Sequence, residues 1–171
     1  MKIAVNYFMV FDAKDRQILQ CLQENSRMTA SEISSRVGIS IPTVSERIHR
    51  LQESGIITAF STEVDARKLG IDLLAFITTD SSSSEHYEEF VIHARKHRAI
   101  QECHSITGGG SHLLKVRARN SAELEKILRE IQRWPGVVRT HTMIVLSTYK
   151  ESSALDLGES MLPTTQRQES R

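Results

Sequence analysis

The apolar residues of this chain change their spacing once, near residue 56, and that change limits what the chain can fold into. Before it they recur at helical intervals: Ile18, Leu19 and Leu22, then Ile33 and Val37, then Val44, Ile48 and Leu51. After it, Leu114, Val116 and Ala118 alternate with Lys115, Arg117 and Arg119, the two-residue period of a half-buried strand. A helical unit followed by a mixed one is expected, which makes the fold class α+β. With 171 residues, two such units would each have a thin core and would lean on oligomerisation.

Local punctuation sharpens the reading. Asp12 stands where it caps a first helix running to about Glu24. Thr29 and Glu32 have the spacing of a capping box, and the helix they open stops at Gly38. Ser40 caps the next helix, Pro42 fits its first turn, and Gly55 closes it. Two short helices joined by Gly38-Ile39-Ser40 suit a helix-turn-helix. Beyond it, "IITAFSTEVD" and "LLAFITTD" read as strands. A helix opened by Ser82-x-x-Glu85 then carries Tyr87, Phe90, Val91 and Ala94 on one face. "IQECHSIT" and "HLLKVRAR" read as strands, "SAELEKILREIQRW" as a helix ended by Pro135-Gly136, and "VVRTHTMIVLSTY" as a long last strand. The order β-α-β-β-α-β is that of a ferredoxin-like sandwich, one sheet backed by two helices. The expected boundaries are 11–58 for the helix-turn-helix, 59–70 for a strand linker, 71–150 for the sandwich, and 151–171 for a polar, mostly disordered tail.

Charge excludes one function class. The formal net charge is +1, from 22 basic and 21 acidic residues, too even to coat nucleic acid by bulk attraction. Cys21 and Cys103 are far apart and read as free thiols of a reducing, cytoplasmic compartment. No apolar run approaches membrane-spanning length, so no membrane partner is expected. The opening "MKIAVNYFMV" lacks a small-residue cleavage site and fits an extra strand, or a start placed upstream of Met9, better than a signal peptide.

The second helix of a helix-turn-helix enters the major groove, so the side opposite its core must be polar. Val44, Ile48 and Leu51 fix the buried direction here. Pro42, Glu46 and His49 then point away from it, with Thr43, Ser45 and Arg50 beside them. Thr43, Ser45, His49 and Arg50 are expected nearest the base edges, with Ser40 and Arg47 holding the backbone. An ordinary helical hairpin with a solvated face would show the same pattern.

Three consecutive glycines, Gly108, Gly109 and Gly110, suggest a phosphate loop, but the lysine and following helix that such a loop needs are missing. A hairpin turn, or a ligand lying against bare backbone, remains. His93 and His97 lie four apart on a helix, while Cys103, His104, His112 and His141 lie in strands, without a metal-ligand motif. No nucleophile–base–orienter set stands out. Neither a metal, a cofactor nor an enzyme activity is expected.

The pattern D-x-x-D-x-x-I-L-x-x-L-Q-x-x-x-R from Asp12, followed by V-G-I-S-x-x-T-V-x-x-R-I-x-x-L-x-x-x-G-I-I from Val37, resembles the leucine-responsive, or feast/famine, regulators of the Lrp/AsnC family. The resemblance runs over about residues 11 to 150. It implies a winged helix-turn-helix joined to a ligand-sensing RAM domain, in a transcriptional regulator that binds double-stranded DNA. A homodimer on a pseudo-palindromic operator is implied, with higher oligomers such as a tetramer or octamer. It also implies an amino-acid or other small-molecule effector at the glycine loop. The residues so implicated are Thr107, Gly108, Gly109, Gly110, Ser111 and His112, with Thr140 and Thr142 on the last strand. The family pattern there is Gly-Asp-aromatic-Asp before the paired leucines. Gly108-Gly109-Gly110-Ser111-His112 keeps the first glycine but neither acid nor the aromatic. A carboxylate is the natural partner of an α-ammonium group. An altered amino-acid site, a different effector and no effector all stay open. So do an architectural DNA-binding protein without an effector, and a metal or small-molecule sensor without a promoter role.

Overall fold

The computed structural model describes residues 11–158, so the readings made of residues 1–10 and of 159–171 lie outside the described residues. The chain divides into two units, one holding residues up to Thr62 together with the chain from Ser152, the other Glu63–Glu151.

The first unit contains α1 (Ala13–Glu24), α2 (Ala30–Val37) and α3 (Ile41–Glu53). Two reciprocal capping boxes start α1 and α2, Asp12 with Asp15 and Thr29 with Glu32, so orphan amides at both N-termini are satisfied locally. Gly38 ends α2 at φ +71°, a conformation that a side chain would resist. Ile18, Leu19, Cys21, Ile33, Val37, Val44 and Leu51 form the core. The segment from Ser152 to Gly158, read from composition as the start of a disordered tail, is placed here. Gln23 brackets the Leu155 backbone, donating through Nε2 to its carbonyl (3.0 Å) and accepting from its amide (2.7 Å). Leu157 packs against the core.

The second unit contains β1 (Leu73–Ser81), α4 (Tyr87–Lys96), β2 (Ile100–Ser105), β3 (His112–Ala118), α5 (Ser121–Ile131) and β4 (Val137–Ile144). All pairings are antiparallel, and the strand order is β2-β3-β1-β4. Ala75 and Ile77 of β1 and Leu114, Val116 and Ala118 of β3 lie under Phe90 and Ala94 of α4 and Leu124, Ile127 and Ile131 of α5. The opposite face of β3 carries Lys115 and Arg117, ion-paired to Glu102 and Glu151.

Three expectations change. The run "IITAFSTEVD" joins no ladder among the described residues. Its residues Ile56, Phe60 and Val64 stay 44, 48 and 67% exposed, and no strand among the described residues pairs with it. Ser83, not Ser82, caps the turn before α4, through the Glu85 amide and a single 3₁₀ turn. The last strand stops at Ile144 rather than Tyr149, since its partner β1 begins at Leu73 and the pairing runs out.

Candidate DNA interface and glycine loop

α3 starts on a built cap. Ser40 Oγ accepts from the Thr43 amide at 3.3 Å, and the two hydroxyls lie 2.7 Å apart. Pro42, Ser45, Glu46 and His49 are exposed and Thr43 is half-buried, as the helical period requires. His49 Nε2 lies 3.2 Å from Glu53 Oε1, one turn on.

The two arginines do something else. Asp15 of α1 is fully buried. Arg47 Nη1 bridges Asp12 Oδ2 and Asp15 Oδ1, both at 2.8 Å, while Arg50 Nη2 spans the two Asp15 oxygens at 3.1 and 3.0 Å. Arg50, expected beside the base edges, and Arg47, expected at the DNA backbone, are thus both turned onto α1. A carboxylate taken out of water needs cationic donors, and Arg47 and Arg50 are the ones within reach. Bonds to Asp15 and then Asp12 hold the Arg47 guanidinium above its ordinary pKa against the effect of burial. Burial works to raise the pKa of Asp12, but the Asp15 amide and Arg47 outweigh it and leave the carboxyl below its usual range. The signal for this lock is in the sequence. Two acids three residues apart on one helix match two arginines three apart on another.

The glycine loop joins β2 to β3. Gly108 and Gly110 have φ of +103° and +113°, which only glycine adopts without strain. Ser111 donates to the Thr79 carbonyl twice, from its amide at 2.7 Å and its hydroxyl at 2.9 Å, and so pins the loop to β1. A side chain on Gly110 would stand 3.1 Å from that carbonyl, whereas Gly108 and Gly109 open onto empty space. The Gly110 amide bonds the Gly108 carbonyl, leaving those of Gly108 and Gly109 as the unpartnered donors of the three among the described residues.

His112, expected as a loop hydrogen-bonding group, is instead 2% exposed. It opens β3 on the same face as Leu114 and Val116, so the strand period carries it inward. Its ring stacks on Phe90 at 4.2 Å and lies 4.9 Å from Tyr87. Strand register sets Ser105, His112, Thr79 and Thr140 in one row across the sheet, with Thr142 in the next row opposite Ile77. Thr140 Oγ1 accepts from Gln132 at 2.9 Å. Thr107 stays exposed on the loop. Thr79, not singled out from the sequence, is the residue that anchors the loop. Its place after Ala75 and Ile77 on the inward positions of β1 was the available signal.

His93 stacks on Trp134, His97 pairs with Glu130 and His104 with Glu102. Among the described residues no three His, Cys, Asp or Glu side chains converge as metal ligands.

A family model described as winged helix-turn-helix DNA-binding matches residues 11–58, and one for the Lrp/AsnC ligand binding domain matches 73–155. The chain is 38% identical over 146 residues to the HTH-type transcriptional regulator FL11 of Pyrococcus horikoshii, covering 85% of this chain and 96% of that protein. It is 35% identical over 147 residues to the leucine-responsive regulatory protein of Escherichia coli K12, covering 84% and 90%. Among solved structures, a transcriptional regulator of Neisseria meningitidis in complex with L-Met superposes with a TM-score of 0.81 at 28% identity, over 85% of this chain and 96% of that one. AsnC of E. coli superposes at 0.79 and 28%, over 85% and 99%.

Proposed function

This chain belongs to the Lrp/AsnC family of transcriptional regulators, and from that premise we propose that it reads a pseudo-palindromic operator as a cytoplasmic homodimer or higher oligomer whose assembly a small effector modulates. The observation that carries the DNA reading is the polar side of α3, presented by a helix that Asp15, Arg47 and Arg50 tie to α1. Ser45 and His49 take the base edges, flanked by Pro42, Thr43 and Glu46. Ser40 lies toward the DNA backbone, and Arg47 and Arg50 position the helix.

Replacing Ser45 or His49 by alanine should cost about 1–3 kcal/mol on operator DNA and little on random DNA. Arg50→Ala should instead weaken both about equally and lower the melting temperature. Gel retardation on the two DNAs, with a thermal melt, separates these roles. A loss confined to operator DNA for Arg50→Ala would return that residue to base reading.

The sensing domain takes its effector at the glycine loop, where the Gly108 and Gly109 amides suit a carboxylate. What the loop lacks is an acid for an α-ammonium group. Gly109 faces open space without a positive φ, so Gly109→Asp should fold with a stability change within about 0.5 kcal/mol. It should bind L-methionine about tenfold more tightly than the parent, because it adds one charge-assisted bond. Calorimetry on both proteins checks this, and equal affinities would count against the loop as the site. A parent protein whose assembly responds to no amino acid would favour the architectural reading.

A further inference from the structure

A cleft of about 550 Å³ lies between α4 and β2, on the helix side of the sheet. Its size falls in the range of small-molecule sites. Tyr87, Val91 and Arg95 form one wall as a single stripe of α4, spaced four residues apart. Ile100 and Cys103 form the other, and Ser105 and His112 close one end.

Two groups in the cleft lack partners. Unlike His93 and His97, which pair with Glu89 and Glu130, the exposed Arg95 makes no ion pair among the described residues, and Glu102, which also lines the cleft, is paired with Lys115. Arg95 lines the cleft across from Cys103 of β2. His112 is the second. The Ser111 hydroxyl donates to the Thr79 carbonyl, so toward His112 Nδ1, at 3.1 Å, it accepts, and Nδ1 carries the proton. Nε2 is then a bare acceptor, buried and without a hydrogen-bond partner. Burial holds the imidazolium below its ordinary pKa, which keeps the ring neutral. An unmatched buried acceptor is costly, and one in a native structure calls for a partner or a role. The Tyr87 ring lies 4.9 Å from the imidazole and is itself 43% exposed, so rotation of that phenol would open a way to Nε2.

We propose that this cleft is a binding site for an apolar carboxylic acid with a hydroxyl or amine donor at its far end, the carboxylate on Arg95, the apolar body along Val91 and Ile100, and the donor on His112. From Tyr87 to Arg95 the helix rises about 12 Å, and an arginine reaching back toward the N-terminus leaves room for a ligand on the order of 8 Å long. The site is separate from the glycine loop and stands whether or not that loop binds an effector.

The test is calorimetry on the full chain with 4-hydroxyphenylacetate. Phenylacetate lacks the donor and 4-hydroxybenzyl alcohol lacks the carboxylate, and each should bind about tenfold more weakly, the loss that one such hydrogen bond carries. Arg95→Gln and His112→Phe should weaken 4-hydroxyphenylacetate to a similar extent, the second preserving the aromatic stack on Phe90. A thermal melt confirms that both variants fold, and Gly109→Ala should leave binding unchanged. Absence of binding overturns the proposal, as does equal affinity for phenylacetate. Loss with Gly109→Ala but not with Arg95→Gln also overturns it, by moving the ligand to the glycine loop.

Discussion

Asp15→Ala should be among the most damaging single changes in the helical unit, although Asp15 lies on α1 and not on the recognition helix. The wild-type carboxylate accepts from Arg47, from Arg50 and from the Asp12 amide. Breaking a buried ion pair costs about 3–5 kcal/mol. The lower end applies, since Arg50 keeps 46% of its side-chain surface in water and Arg47 keeps Asp12. With the tie gone, α3 is held by its apolar stripe alone, and affinity should fall for operator and random DNA alike, as with Arg50→Ala. Asp15→Asn, which keeps the shape and part of the hydrogen bonding, should recover some of the loss. Thermal unfolding and a DNA-retention assay read the two effects. A variant that melts and binds like the parent would remove the lock from the mechanism.

Leu51→Ala should act on the same unit through its core. Leu51 is fully buried in the last turn of α3, within a core of seven residues. Truncations of this kind cost about 2.7–5.0 kcal/mol where the cavity cannot collapse. A helical unit of this size has a total stability of about 3–8 kcal/mol, so the loss takes most of it. The βαββαβ unit has its own core under α4 and α5 and should keep its melting transition. Scanning calorimetry should therefore show an early transition in the variant and a later one close to the parent's. A single transition, shifted as a whole, would mean that the two units unfold together.

What the sequence made legible was local. The capping boxes at Asp12 and Thr29, the stop at Gly38 and the cap at Ser40 each depend on residues within four positions. The inward alternation of β3 was equally readable, because the strand period is short. Errors arose where a long-range partner decides. Arg50 looked free until a buried acid 35 residues away claimed it. "IITAFSTEVD" has a strand's pattern, but a ladder needs a second strand. His112 was read as the first residue of a strand and given to the effector site, although the strand period turns it inward. The tail was judged by its polar composition, while what places it is Leu155 and Leu157 against α1 and the core.

That last contact has a consequence for how weakly such a segment can be built. Gln23 gives it two hydrogen bonds and the core receives one leucine, far too little to hold a free heptapeptide in dilute solution. Because the segment belongs to the same chain, its local concentration at α1 is millimolar rather than micromolar, and modest contacts suffice. Covalent continuity, rather than the strength of the contact, keeps the site filled. Cutting the chain just before Leu155 would leave every residue present and the site empty.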